Sequence, residues 1–345
     1  MEEFTTVFLM ALLVAGALGV LYVRNLFVAT MLLGAVSFLM ALIFIILDAV
    51  DVAFTEAAVG AGISTVLFLG TLSLVGADEK KSRPKTVLPL LVSLIVGGTL
   101  VYATFEMPVV GSADNPVQTS NLTTRFIEQS PKEIGVPNMV TSVLASYRGY
   151  DTFGEVTVIF TAGIAVLLIL RQLRRRRDEQ TEGSSSAENT ETGVESGPSP
   201  SIHDLVPHVV SKLLIPFVLL FGLYVQFHGD FGPGGGFQAG VIFAAGIILY
   251  SLVFGLEYAQ KLIPLWAVEL LLAVGVLLYG GVGVATMLYG GNFLDYNWLS
   301  ADPVAGQHLG ILLVELGVGI TVTAAMLAIF YGFANRNEFR ENSGE

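Results

Sequence analysis

An all-α fold that crosses the membrane about nine times, in two bundles, is what this sequence predicts. Three observations carry the prediction. The chain is 53% hydrophobic and only 13% charged, with a mean hydropathy of +0.71, where soluble domains carry roughly 25% charged residues. Its apolar runs reach the roughly 17 residues needed to cross a bilayer as a helix. Its basic residues lie overwhelmingly in alternate connections, the pattern that orients membrane helices.

The spans are expected near Thr5 to Tyr22, Leu26 to Leu47, Val52 to Val75, Val87 to Ala103, Glu155 to Leu170, Val209 to Phe227, Phe237 to Phe254, Leu265 to Leu288 and His308 to Phe333. Glu2 and Glu3 stand where a signal peptide would be basic, and no small-residue cleavage site follows, so the first run reads as a retained span. With the N-terminus outside, 14 of the 17 Lys and Arg residues fall on the cytoplasmic side, leaving only Arg125, Lys132 and Arg148 outside. The linker and the C-terminus are then cytoplasmic.

Composition marks the boundaries between spans. Lys80 to Lys85 separates a three-span domain, residues 1–80, from a two-span domain, residues 81–175. The latter carries a long polar outside loop, Phe105 to Tyr150, whose apolar stretch Val136 to Leu144 can lie along the membrane surface. Tyr147, Arg148 and Tyr150 read as interfacial anchors. Residues 176–207 are rich in Ser, Glu, Gly and Pro without apolar periodicity and are expected to be a disordered linker. A four-span domain, residues 208–345, follows. No segment repeats another closely enough to suggest the paired halves of a self-sufficient transporter.

Several function classes drop out. With no cysteine and four scattered histidines, the chain offers no thiolate set for an iron-sulfur cluster, no haem pair and no metal site. No cofactor is expected, and electron transfer would have to occur in another subunit. The net charge of -12 sits largely in surface segments and suggests no nucleic-acid partner. What remains is the lipid bilayer and a few ionisable residues near or inside the spans.

The most informative of these lie in His228-Gly-Asp230-Phe-Gly-Pro233-Gly234-Gly235-Gly236-Phe-Gln-Ala-Gly240, an irregular hairpin between two spans. Its glycines and proline free backbone groups for an ion or a partner loop, while a tight turn is the plainer reading. Gly236 and Gly240 add a GxxxG contact face. His228 and Asp230 can exchange protons near neutral pH, or form a fixed structural pair. Asp48 and Asp51 stand at the mouth of the third span, where carboxylates can cap the helix or meet a cation. Glu56 lies over a turn deeper, where a charge costs roughly 2.5 to 3.5 kcal/mol, so it needs a partner, a proton or a cation. Thr152 and Glu155 have capping-box spacing. Glu269 heads a stripe of small residues through Ala273, Val276, Gly280 and Gly283 that reads as close helix packing. Glu315 is a further carboxylate deep in the ninth span, on the same helix face as His308 but about 10 Å along the axis, too far for direct contact.

These motifs carry a family resemblance over nearly the whole chain. The segment from Asp48 through Asp51, Thr55 and Glu56 to Gly60 resembles one shared by the C-terminal part of the large Mrp antiporter subunit and the small D-type subunit of membrane-bound hydrogenases. Pro137-Asn-Met-Val-Thr through Tyr147-Arg-Gly-Tyr-Asp151-Thr-Phe-Gly-Glu155 resembles their adjoining E-type subunit. The glycine hairpin resembles the B-type subunit of Mrp antiporters, the MnhB family. The resemblance implies a non-enzymatic membrane subunit of a multisubunit Na⁺/H⁺ antiporter, placed in the cell membrane among large antiporter-domain subunits and small membrane subunits. It implies Na⁺ and H⁺ as transported ions and a cation path drawn from Glu56, Glu315, Glu155, Asp51, Asp48, Glu269, His228 and Asp230. No span carries a central lysine of the kind found in the proton-pumping subunits. A module of a membrane-bound hydrogenase or related ferredoxin-driven complex, and a purely structural scaffold, are the alternatives.

Overall fold

The computed structural model describes residues 2–79, 87–109, 111–182 and 202–342. Among them, nine helices are long and apolar enough to cross a membrane, and there is no β-strand. We number these α1 (Glu2–Tyr22), α2 (Leu26–Ile46), α3 (residues 50–75), α4 (Val87–Thr104), α5 (Gly149–Glu182), α6 (Ile202–His228), α7 (Gly236–Phe254), α8 (Leu265–Leu288) and α9 (Pro303–Asn342).

The spans fall where the apolar runs place them, with informative differences at their ends. α3 is composite: α-helical over Val50–Glu56, π-helical over Ala57–Ile63 and α-helical again over Ser64–Val75. Hydropathy cannot show such a widened turn, which is typical of functional sites in helices. α5 starts at Gly149, so Thr152 is not an N-cap. Its hydroxyl donates to the Leu144 carbonyl at 2.9 Å, and the capping-box reading falls. The expected linker narrows as well. α5 runs on to Glu182 through strong helix formers such as Arg174 and Glu179, and α6 begins at Ile202. Residues 183–201 of that linker, and Lys80, Lys81, Arg83 and Lys85, lie outside the described residues.

The two expected bundles are not separate. α9 runs through the middle, packed against α5, α7 and α8, with α3 and α6 also touching it. One cluster of buried side chains joins Ile63, Val156 and Leu167 from the first half to Leu272, Val322 and Tyr331 from the second. The reason is that lipid tails are as apolar as leucine, so membrane helices associate where backbones can approach. Gly163 admits Leu272, and Gly240 meets the Gly319 carbonyl so closely that a Cβ would stand 2.7 Å from it. On α8 the closest approach is at Gly275, whose Cβ would stand 2.6 Å from the Gly317 carbonyl. The buried face therefore follows Val268, Leu272, Gly275, Tyr279 and Val282, offset from the predicted stripe, with Gly283 common to both. By contrast, α1 packs on α2, and neither α1 nor α4 has a buried residue among those described.

The long loop also departs from expectation. Within the stretch Val136 to Leu144, Val136, Thr141 and Ser142 are buried in the protein, as are Ile134 and Ala145 beside it, while Met139 and Leu144 stay exposed. Tyr296 donates to the Ala145 carbonyl at 2.9 Å, and the Ser146 hydroxyl donates to Gln307 at 2.7 Å, drawing the loop in over the ends of α8 and α9. Tyr147 is tied within the loop, its hydroxyl donating to Glu133 at 2.5 Å. The connections at residues 47–49, 105–148, 229–235 and 289–302 thus meet at one end of the molecule. At the other end Leu26 donates to the Ala77 carbonyl at 2.7 Å, and Gln260 to Asn335 at 2.9 Å.

Candidate functional site

The hairpin after α6 is a closed backbone device. The amides of Phe231 and Gly232 donate back to the His228 carbonyl at 2.9 and 3.0 Å, and Gly235 donates to the Val225 carbonyl at 3.0 Å. Gly235 adopts φ 107°, a conformation that leaves room for no ordinary side chain, and α7 starts immediately after it. Gly236 then lies directly on the Glu315 backbone, as the predicted contact face requires.

Behind the hairpin is a cavity of about 260 Å³, lined by Asp51 and Thr55 of α3, Thr141, Glu155 of α5, Gly234 to Gly236, Gln238 of α7, Tyr279 of α8 and Glu315 of α9. Asp51, Glu155 and Glu315 are therefore brought to one space from three distant stretches of sequence. Glu315 is aimed at the hairpin: a Cβ on Gly235 or on Gly229 would stand 3.1 Å from one of its carboxylate oxygens. Gln238 donates to the Thr55 hydroxyl at 2.8 Å, and that hydroxyl donates in turn to the Asp51 backbone carbonyl at 3.0 Å. Tyr279 is buried and spends its hydroxyl on the Gly149 carbonyl at 2.7 Å, bracing the start of α5. Carboxylates, hydroxyls and backbone carbonyls are hard oxygen donors, suited to water, protons and monovalent cations.

The other sequence candidates lie apart from this cavity. Asp230 does not pair with His228. It faces His308, Nδ1 to Oδ2 at 3.8 Å, while His228 stacks on Tyr224 with ring centroids 4.9 Å apart. Burial raises the Asp230 carboxyl above the usual range, and the facing His308 offsets part of that rise. Asp48 is exposed at φ 58° and caps nothing, since the residue before α3 is Ala49 with no side-chain bond. Asp51 sits in the first turn and takes a hydrogen bond from Asn138 instead. Glu56 points to α2: a Cβ on Gly60 would meet its carboxylate at 2.5 Å and the Ser37 hydroxyl at 2.6 Å. Glu269, in the second turn of α8, does not line the cavity either.

Asn138, Thr55, Gln238 and Tyr279 were not among the predicted site residues. Three of them were visible as polar side chains inside the quoted motifs, though only Thr55 stands next to an acid, Glu56. Tyr279 had no such signal, because a tyrosine in an apolar span reads as core.

Comparison with known proteins bears on all three segments. Residues 206–328 match the domain related to the MnhB subunit of Na⁺/H⁺ antiporters. The decisive relative is antiporter subunit mnhB2 of Staphylococcus aureus (strain Newman), 34% identical over 130 residues that cover 92% of that protein and 37% of this chain. The chain belongs to the MnhB family. Ahead of this MnhB region, residues 11–77 match the MbhD family and residues 85–186 the MbhE family, two subunit families of the group abbreviated MBH. Another relative runs alongside most of the chain: the K⁺/H⁺ antiporter A/B-type subunit of Rhizobium meliloti (strain 1021), 24% identical over 323 residues, 89% of this chain. Among solved structures, a chain of the Mrp complex from Dietzia sp. DQ12-45-1b matches 95% of this one at 27% identity with a TM-score of 0.73. A chain of the membrane-bound sulfane sulfur reductase, an archaeal respiratory membrane complex, matches 72% of this one at 26% identity with a TM-score of 0.51. This MnhB-family chain spans about a third of the Rhizobium relative, 32%, and of the Mrp-complex chain, 34%. It is a multi-pass membrane protein whose fold is like part of a chain of the Mrp complex.

Proposed function

We propose that the chain is a membrane subunit of a multisubunit Mrp-type Na⁺/H⁺ antiporter, in which it forms part of the cation or proton path. The observation that supports this most strongly is the convergence at the cavity. Asp51 comes from the MbhD-like region, Glu155 from the MbhE-like region, and Glu315 from the MnhB region. One carboxylate from each is what a path shared between modules needs, since ionisable side chains at membrane depth are expensive without such use. Glu56, beside Ser37 on α2, is a second branch of the path, with Asp230 and His308 at the mouth. The working division is 1–80, 81–175, a linker, and 208–345. Partners are large antiporter-domain subunits and small membrane subunits. α1 and α4, which bury nothing in the chain itself, are the faces left for them or for lipid.

The test is transport. Vesicles containing the assembled complex should dissipate a pH gradient on addition of Na⁺, and vesicles containing the chain alone should not; Na⁺-driven proton movement by the lone chain would defeat the proposal. A second reading, an ion-translocating module of a redox-driven complex, is favoured by the sulfane sulfur reductase match, which covers 98% of that chain. Its mark would be transport coupled to ferredoxin oxidation instead of to a Na⁺ gradient. In either case the orientation is N-terminus outside in the cell membrane, as the basic residues suggest. In this cysteine-free chain, Ser112→Cys should react with an impermeant maleimide added outside and Ser185→Cys should not.

A further inference from the structure

Asn138 has a side chain that joins all three regions of the chain. Its Oδ1 accepts the Val140 amide at 3.0 Å, capping the short helix Met139–Thr141. That fixes which atom is oxygen and turns the Nδ2 amino group the other way. There it meets three oxygens: Gly232 carbonyl at 3.0 Å, Gly229 carbonyl at 3.1 Å and Asp51 Oδ1 at 3.4 Å. The neighbouring bonds hold the arrangement in place, because the Asn138 amide donates to the Asp230 carbonyl at 2.9 Å and the Thr141 hydroxyl to the Gly229 carbonyl at 2.7 Å.

An amino group has two hydrogens and cannot serve three acceptors at once; Gly229 also takes the Thr141 hydroxyl, and the Asp51 carboxylate, at 3.4 Å, is the acceptor held most loosely. A carboxylate and two carbonyls gathered round one point are also the donor set of a hard monovalent cation, and they stand where Asp51 opens into the cavity. We infer that Asn138 is a positioning residue, which holds the Asp51 carboxylate and the Gly229 and Gly232 carbonyls at a spacing where an entering monovalent cation meets them together. The inference rests on the proposed antiport and adds an entry site on the hairpin side of the cavity.

The test is two substitutions that both keep the helix cap, because Ser and Asp are good N-cap residues. Asn138→Ser removes the bridge, the oxygens relax apart, and the KM for Na⁺ of the assembled complex should rise roughly threefold to tenfold, the range that one hydrogen bond is worth. Asn138→Asp replaces the donor with a second carboxylate that needs a cation between it and Asp51, so the KM should fall by a similar factor while turnover drops. A packing role alone would lower the amount of complex or its turnover and leave the KM for Na⁺ where it was. KM shifts in the same direction, no shift in an active complex, or failure of both variants to assemble would overturn the inference alone. A wild-type complex that moves no protons in response to Na⁺ would overturn the proposed antiport as well.

Discussion

Two membrane carboxylates, Glu56 and Glu315, look alike in sequence: each interrupts an apolar run and is followed by glycines. In the structure they sit in different settings. Glu56 is the last α-helical residue before the π-helical part of α3 and lies toward Ser37 of α2, beside Gly60. Glu315 faces a cavity with Asp51, Glu155 and the glycine hairpin. The difference teaches that depth in a span does not by itself rank two candidate path residues. What separates the two is whether the neighbouring helix fills the space in front of the acid or a glycine turn leaves it open.

The largest effect should come from wedging apart the helices that frame that opening. Gly236→Ala places a methyl group on the Glu315 carbonyl, where α7 and α9 touch through backbone. Overpacking of this kind costs about 1–3 kcal/mol or more. Complex assembly, followed by co-purification, should fall steeply, whereas Gly70→Ala, with open space around it, should assemble normally. Equal assembly of the two would show that the hairpin contact is not what holds the cavity.

A smaller effect is expected at the mouth. Burial raises the Asp230 carboxyl and His308 holds that rise back. Removing the imidazole with His308→Asn should therefore raise the carboxyl further and move the acid limb of the pH profile to higher pH, with a change in maximal rate within about tenfold. An unmoved limb would separate Asp230 from the path. The smallest effect belongs to the loop before α5, at residues that do not line the cavity. There the Tyr147 hydroxyl, pushed up to about 12 chiefly by burial, donates to Glu133 and holds its carboxyl below the usual range. A lowered carboxyl gives stability that is present above its unfolded value and lost as pH falls through the folded one. Tyr147→Phe should remove that acid-side loss, read as a flatter melting temperature between about pH 5 and 3, with transport at neutral pH unchanged.

Much of this was legible in the chain. Nine apolar runs specify nine spans because length and hydropathy are local properties, and the glycine hairpin announced its contact with α9 through Gly236 and Gly240. The convergence of Asp51, Glu155 and Glu315 was not legible, because it depends on which helices pack together, and no periodicity encodes that α5 joins α8 and α9. The pairing of Asp230 with His308 rather than His228 failed to appear for the same reason: two residues apart in sequence, the latter pair suggested itself, but the hairpin turns Asp230 toward α9. Asn138 was hidden by its type, since an asparagine after proline reads as a turn or helix cap, and it is one, with its other end bridging three regions.

The most direct measurement compares Glu315→Gln and Glu56→Gln at matched amounts of assembled complex, with Na⁺-driven proton movement recorded across a pH range. Glutamine keeps the shape and hydrogen-bonding capacity but cannot bind or release a proton. The cavity account predicts that Glu315→Gln lowers the rate by at least about 100-fold, in the range of a lost proton-transfer group, at every pH. It predicts a clearly smaller loss for Glu56→Gln, with Glu56→Asp recovering part of it. Near-normal transport by Glu315→Gln, or a loss in Glu56→Gln equal to that in Glu315→Gln, would contradict it.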